Sequence, residues 1–190
     1  LKHCFDLVEP GLIYVEDGSI FENALKVLSL EDVTIVCSKN PQEISGKRMI
    51  LFEEMTSVNP ENNIEELFNK VEPDFVAKYL FTSGSTGMPK GVINTQKMLC
   101  VNMQQAQQVR PQQLNQNIIV DWLPWNHTMG GNHSFNGIFW NGGTLYIDEG
   151  KPVPALFKTT IENLKKISPS YYTSVPAGLA MLLEYLKSDE

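Results

Sequence analysis

The run Tyr79-Leu80-Phe81-Thr82-Ser83-Gly84-Ser85-Thr86-Gly87-Met88-Pro89-Lys90-Gly91 decides how this chain is read. An apolar stretch, Tyr79-Leu80-Phe81, delivers the backbone into a segment of glycines and hydroxyl residues, and a lysine follows. Glycine takes positive φ and lets a backbone approach a ligand closely. Successive N–H groups in such a turn form a concavity for anions. Thr82, Ser83, Ser85 and Thr86 add neutral donors, Lys90 adds a point charge, and Pro89 restricts the backbone just before it. The segment has the chemistry of a polyphosphate clamp.

The common P-loop is excluded. That motif needs G-x-x-x-x-G-K-[ST] opening a helix. Counting from Gly84, the second glycine falls on Pro89, and Gly91 stands where Ser or Thr is required. Val92-Ile93 then reads as a strand, so no helix dipole lies beneath the loop. A plain Ser/Gly-rich linker seldom places Thr-Ser-Gly-Ser-Thr-Gly ahead of Pro-Lys-Gly after an apolar strand. Tyr79–Val92 resembles the phosphate-binding signature of the acyl-adenylate-forming (AMP-binding) superfamily: acyl- and aryl-CoA ligases, peptide-synthetase adenylation domains and luciferases.

Composition narrows the function class. The 190 residues are 42% hydrophobic and 19% charged, which suits a globular protein with a substantial core. The net charge is −7, and the 15 basic residues form no stripe, which argues against a nucleic-acid partner. No apolar run approaches the roughly 18–20 residues that cross a membrane. Cys4, Cys37 and Cys100 are far apart and show no CxxC or Cys/His ligand spacing. The expectation is three buried free thiols in a reducing, cytoplasmic compartment and no metal site. Asn126-His127-Thr128 and Asn132-His133-Ser134 fit the glycosylation pattern and are expected to be chance matches. Leu1, Phe5 and Val8 space as the middle of a helix, which suggests a piece of a longer polypeptide.

Along the chain, strands alternate with helices. Strands are expected at 12–15, 33–37, 117–120, 144–147 and 171–175. Ser19-Ile20-Phe21-Glu22 reads as a capping box opening a helix through Leu28. A short element is expected around 49–55 and a helix near 64–71, separated by the loop 57–63. Asn94 or Thr95 can cap a helix to about Val109 with Leu99, Met103 and Ala106 inward and its glutamines solvated. Helices follow over 155–167 and from Pro176, the last with Leu179, Leu182, Leu183 and Leu186 inward. The pattern implies an α/β fold, a mostly parallel sheet flanked by helices, in a single region spanning 1–190. Ligands then bind beyond the C-terminal strand ends. The phosphate run, Trp122–Gly131 and Val175-Pro176 all follow expected strands, so the three segments should converge on one edge.

The segment Asp121-Trp122-Leu123-Pro124-Trp125-Asn126-His127-Thr128-Met129-Gly130-Gly131 carries aromatics, a histidine and two glycines in what reads as a mobile stretch. It resembles the superfamily's Leu-Pro-…-His-…-Gly element, whose histidine or aromatic lines the acyl pocket and gates the thiol tunnel. The resemblance implies that role for His127, with Trp125, Met129 and Gly130 as pocket wall. With Phe81–Met98 and Asn141–Asp148, the segment is most similar to feruloyl-CoA synthases, aryl-CoA ligases acting on hydroxycinnamates. His133 matches no family role and reads as structural. Ser170–Pro176 resembles the family's strand before a "Val-Pro" helix, and a plain core strand reads equally well.

The resemblance implies a fragment of the large N-terminal domain of an acid–thiol ligase with ATP, Mg²⁺ and CoA as reactants or cofactors. A carboxylic acid attacks the α-phosphorus of ATP to give acyl-AMP and pyrophosphate, and a thiol then displaces AMP. Thr82, Ser83, Gly84, Ser85, Thr86 and Gly87 would hold the phosphates, Lys90 would offset leaving-group charge, and His127 would shape the acyl end. The family's adenine, ribose and hinge elements and its C-terminal lysine are not seen by Glu190, so the 190 residues alone are expected not to complete adenylation. The competing readings are a fatty acyl-CoA ligase, a peptide-synthetase adenylation domain, and a non-catalytic nucleotide-binding module.

Overall fold

A computed structural model describes residues 1–59, 63–83, 87–110 and 117–188. The central glycine-hydroxyl triplet Gly84-Ser85-Thr86 lies outside the described residues, as does the middle of the loop expected at 57–63. The chain divides into two compact units. Leu1–Phe75 and Phe81–Ile93 form the first; Val76–Leu80 and Asn94–Glu190 form the second. Among the described residues no helix is long and apolar enough to cross a membrane.

In the first unit, α1 (Lys2–Val8) leads to β1 (Leu12–Asp17), α2 (Gly18–Leu25) and β2 (Thr34–Lys39). Short strands β3 (Glu43–Ile44), β4 (Lys47–Arg48) and β5 (Ile50–Leu51) follow, then α3 (Phe52–Thr56) and α4 (Ile64–Asn69). The sheet β1-β2-β5 is parallel, with Leu12 opposite Thr34 and Cys37 opposite Leu51. Strands β3 and β4 pair antiparallel. Val15, Ile35 and Cys37 alternate inward from the sheet onto Leu25, Leu28, Leu30, Ile44 and Met49. The α2 helix starts earlier than a Ser19 cap allows. Asp17 is the N-cap, and its carboxylate accepts from the Ser19 N–H at 3.0 Å. Aspartate and serine cap about equally well, so either position can start the helix. That hydroxyl itself donates to Asp17 at 2.7 Å.

Strands β6 (Val76–Thr82) and β7 (Lys90–Thr95) form a two-stranded sheet, and each changes unit along its length.

The second unit holds α5 (Gln96–Val109), β8 (Ile118–Asp121), a π-helical turn (Met129–Phe135), α6 (Asn136–Asn141), β9 (Thr144–Ile147), α7 (Phe157–Ile167) and α8 (Pro176–Ser188). Strands β8 and β9 pair in parallel, Ile118 opposite Thr144 and Asp121 opposite Ile147. The crossover between them is the π-helical turn plus α6. Thr95 caps α5 by accepting from the Met98 N–H at 3.2 Å. Ile119, Val120, Leu123, Met103, Ile138, Phe157 and Ile161 are buried. After β9, buried Asp148 ties the chain to α7: it accepts from Gly150 N at 2.9 Å, Thr160 Oγ1 at 2.7 Å and Asn163 Nδ2 at 2.7 Å.

The α/β class and its parallel pairing are as expected; several local readings are not. Residues 171–175 form no strand. Ser170 bonds β8, its N–H donating to the Ile118 carbonyl at 2.8 Å and its hydroxyl accepting from the Ile118 N–H at 3.0 Å. Leu179, Leu183 and Leu186 of α8 are 48%, 53% and 55% exposed, so the expected inner face is not covered by the described residues. Ala106 is exposed, while Gln107 accepts from Trp140 Nε1 at 3.1 Å instead of facing solvent alone. Of the cysteines only Cys37 is buried; Cys4 is half-buried and Cys100 exposed.

Candidate functional site

The phosphate run lies between β6 and β7. Thr82 ends β6, Lys90 opens β7, and Thr82, Ser83, Gly87 and Lys90 are all exposed. Gly87 has φ +113°, a conformation that L side chains rarely adopt, and no atom lies within 4 Å of the space a Cβ would take. The exit of the run is held from α1. His3 Nε2 donates to the Pro89 carbonyl oxygen at 2.9 Å. Leu7 and Phe81 lie 3.5 and 3.6 Å from where a Gly91 Cβ would be. Sequence reasoning missed His3, because a contact across 86 positions has no local signal.

The second segment is ordered by its own backbone. Where β8 ends, Asp121 Oδ1 accepts from the Leu123 N–H at 3.0 Å. The His127 N–H donates to the Pro124 carbonyl at 3.1 Å, and the Gly131 N–H to the His127 carbonyl at 2.8 Å. The stretch expected to be mobile is thus a tight turn running into a π-helical turn, a geometry frequent at functional sites. It closes because Gly130 and Gly131 lack side chains: a Cβ on Gly130 would strike the Pro124 carbonyl oxygen, and one on Gly131 that of Trp125.

His127 is exposed, and its Nδ1 accepts from the Met129 N–H at 3.2 Å. An accepting Nδ1 is unprotonated, so Nε2 carries the ring proton. The imidazole is therefore set as a fixed donor. Trp125 turns its ring to Phe135, centroids 4.7 Å apart, and Phe135 meets Phe139 at the same distance. These rings with Ile138, Leu145 and Ile147 line an apolar groove of about 420 Å³. Met129 is half-buried and Gly130 buried. Thr128 borders a different, polar cavity lined by Asn94 and Asn132.

Buried charge lies beneath the turn. Burial pushes the Asp121 carboxyl above the usual carboxylate value; the Ser134 hydroxyl, the Leu123 and Trp122 amides and the His133 charge oppose that rise without cancelling it. Burial, then the Asp121 charge, pushes the Tyr171 phenol up. Burial lowers the Lys78 ammonium, whose Nζ stands 3.5 Å from where a Gly131 Cβ would be. The second and third predicted segments meet: Trp122 Nε1 donates to Ser174 Oγ at 3.3 Å, just before Pro176 opens α8. The phosphate run belongs to the first unit and these two segments to the second. Among the described residues no group of three His, Cys, Asp or Glu side chains could hold a metal ion.

The model of the family described as "AMP-binding enzyme" matches residues 1–190. The chain belongs to the AMP-binding enzyme family. Among curated members it is 24% identical over 186 residues to a human (Homo sapiens) long-chain-fatty-acid–CoA ligase, covering 93% of this chain and 25% of that protein. It is 28% identical over 134 residues to a medium-chain-fatty-acid–[acyl-carrier-protein] ligase of Teredinibacter turnerae, covering 68% of this chain and 21% of that one. The chain thus spans about a quarter of the curated relatives' length. The fold matches o-succinylbenzoate CoA synthetase of Bacillus subtilis, solved with its acyl-adenylate intermediate, with a TM-score of 0.69 at 18% identity, covering 96% of this chain and 32% of that one.

Proposed function

We propose that this AMP-binding chain carries the phosphate clamp and part of the acyl pocket of an acid–thiol ligase. That enzyme would activate a carboxylic acid, a hydroxycinnamate such as ferulate, to acyl-AMP and then acyl-CoA. The observation that carries this reading is the Thr82–Lys90 run slung between two strands with Gly87 at φ +113°. In the first step a carboxylate oxygen attacks the α-phosphorus of ATP and pyrophosphate leaves. Two anions must be brought together, so the barrier is chiefly positional and electrostatic. Exposed Thr82, Ser83 and the amides of the run would bind phosphate oxygens, and Lys90 would stabilise charge on the departing pyrophosphate. Mg²⁺ would bridge the nucleotide phosphates.

In the second step a CoA thiolate attacks the acyl carbonyl and AMP leaves. His127, with Nδ1 engaged by the Met129 amide, would present an Nε2–H donor to the acyl end. Trp125 would contribute apolar wall through the aromatic groove it shares with Phe135. The fatty acyl ligase reading keeps support from the curated relatives, which are named as fatty-acid ligases, and from the breadth of that groove.

The deciding experiment is acid-dependent ATP–pyrophosphate exchange on the full-length polypeptide that contains this chain. Ferulate and a medium-chain fatty acid are tested in parallel. Exchange with ferulate alone is the expected result. Exchange with the fatty acid alone moves the assignment to the fatty acyl ligases, and exchange with neither leaves another acid or a non-catalytic nucleotide-binding module.

A further inference from the structure

In the second unit, the C-terminal half of α5, the π-helical turn and α6 line a small cavity of about 40 Å³. One water needs roughly 10–15 Å³, so this space suits a group of a few heavy atoms and is too small for a nucleotide or an acyl chain. It shares no lining residue with the aromatic groove. Asn117, on its wall, leads into β8, whereas the turn that carries His127 leaves β8 at the other end. The phosphate run belongs to the other unit. The cavity is therefore separate from both candidate subsites of the reaction.

Its wall is rich in hydrogen-bond donors. Arg110, Gln107, His133 and Tyr171 line it, and no Asp or Glu does. Arg110 is exposed, and its guanidinium has no ion pair or hydrogen bond among the described residues. Gln107 Oε1 is taken by Trp140 Nε1 at 3.1 Å, so its NH₂ is the end left to donate. The half-buried Tyr171 hydroxyl has no partner among the described residues. Burial, then the Asp121 charge, holds the proton on that phenol, so it too is a donor. The His133 imidazole has an N–H to give in either protonation state. Asp121, whose charge reaches Tyr171 and His133, is buried outside the lining, and burial pushes it toward its neutral form.

A cation would meet Arg110 with no acid on the wall to offset it. An apolar group would strip water from the donors and return no hydrogen bond. An oxyanion gains a charge-assisted bond from Arg110 and further bonds from its neighbours. Donors brought by α5, by the π-helical turn and by the segment before α8 suit the four oxygens of a tetrahedral anion better than the two coplanar oxygens of a carboxylate. We propose that this cavity is a binding site for one phosphate group, with Arg110 as its counter-charge. The site is independent of the ligase reading.

The test is a phosphorus NMR titration of inorganic phosphate into the full-length polypeptide carrying Lys90→Ala, which weakens the phosphate run's own binding, with ionic strength fixed by chloride. Saturable binding is expected. Arg110→Gln should weaken it about tenfold or more, the worth of a hydrogen bond to a charged group. Arg110→Lys, which keeps the charge and loses the fork, should recover part of the affinity. Tyr171→Phe should weaken binding several-fold. The Arg110 variants should keep the parent Tm, since that side chain is exposed and unpaired among the described residues. Acetate should bind about tenfold more weakly than phosphate, having fewer oxygens to engage the donors. Glycerol phosphate is titrated beside inorganic phosphate. Weaker binding of the ester identifies the free ion as the ligand; equal or tighter binding identifies the phosphate end of a larger molecule; either result keeps the site. A phosphate affinity unchanged by Arg110→Gln, acetate bound as tightly as phosphate, or no saturable binding in the Lys90→Ala protein would overturn the proposal.

Discussion

The carbonyl oxygen of Trp125 fills the space that a side chain on Gly131 would need. That approach lets the chain leave β8, turn through His127 and enter the π-helical turn within a few residues, locked by the Gly131 N–H to His127 carbonyl bond of 2.8 Å. Gly131→Ala should therefore be costly: a methyl against backbone cannot be relieved by a rotamer change. The expected loss is about 1–3 kcal/mol, read as a lower Tm of the full-length protein. Acid-dependent activity should fall further than stability, because the turn carries His127. An alanine variant with unchanged Tm and activity would show that the turn yields easily.

His3 gives a second prediction. It is half-buried and donates to the Pro89 carbonyl next to Lys90. His3→Ala should cost about 1 kcal/mol of stability, the ordinary worth of one hydrogen bond. It should also weaken ATP binding several-fold by freeing the exit of the phosphate run, while His3→Gln, which can still donate, recovers most of it. Unaltered ATP affinity in His3→Ala would confine the contact to fold stability.

Local chemistry made much of this legible in the sequence. The β-branched runs at β2 and β8 and the Thr95 cap of α5 fall where expected, because each is decided by neighbours in sequence. The failures have physical causes. Asp17 takes the place of Ser19 as the cap of α2, because aspartate and serine cap about equally well and local sequence does not choose between them. Tyr171–Val175 has a strand's composition, yet it forms no strand, and a strand exists only where a partner supplies a ladder. The π-helical turn was invisible because it depends on Gly130 and Gly131 meeting carbonyls several residues earlier. His3 and Asn94, which support the two candidate sites, act across 86 and 38 positions, beyond the reach of any local pattern.

Lys90 is exposed at the start of β7, with no carboxylate partner among the described ion pairs. If it offsets charge on the leaving pyrophosphate, Lys90→Ala should lower pyrophosphate exchange by on the order of 10²-fold and leave thermal stability unchanged. Lys90→Arg should restore part of the rate, since charge matters more than shape at a phosphate. Wild-type turnover in Lys90→Ala would remove the residue from the clamp.

Asp148 tests the fold apart from the site. Its carboxylate gathers Gly150 N, Thr160 Oγ1 and Asn163 Nδ2, and Thr160 is 0% exposed. Asp148→Ala strands that hydroxyl without water. The expected cost is about 2–3 kcal/mol, seen in the urea midpoint. Asp148→Asn, which keeps acceptor capacity at one oxygen, should lose less. Equal losses would mean that the negative charge, not the hydrogen bonds, holds α7.

Asp121 yields a pH dependence. Its Oδ1 serves the Leu123 amide, while Oδ2 is buried and unpaired among the described residues. Burial is the largest influence and raises its folded pKa above the ordinary 3.8. A raised folded pKa means that the folded state holds the proton more tightly than the unfolded chain. Its stabilising contribution is fully present below the ordinary carboxylate value and is lost as pH rises through the folded value. Ionised Asp121 is thus a burden at neutral pH, eased by the Ser134 hydroxyl and the Leu123 and Trp122 amides. Asp121→Asn keeps an acceptor for Leu123 and cannot ionise. Its Tm should exceed wild type at pH 7, and the gap should close as pH falls toward the ordinary carboxylate range. The difference between the two proteins cancels the titration of groups that change little, while His133 and Tyr171, the titratable neighbours, are controlled by His133→Gln and Tyr171→Phe backgrounds. A gap that stays constant with pH would mean that Asp121 titrates as an ordinary carboxylate and that its neighbours already offset its burial.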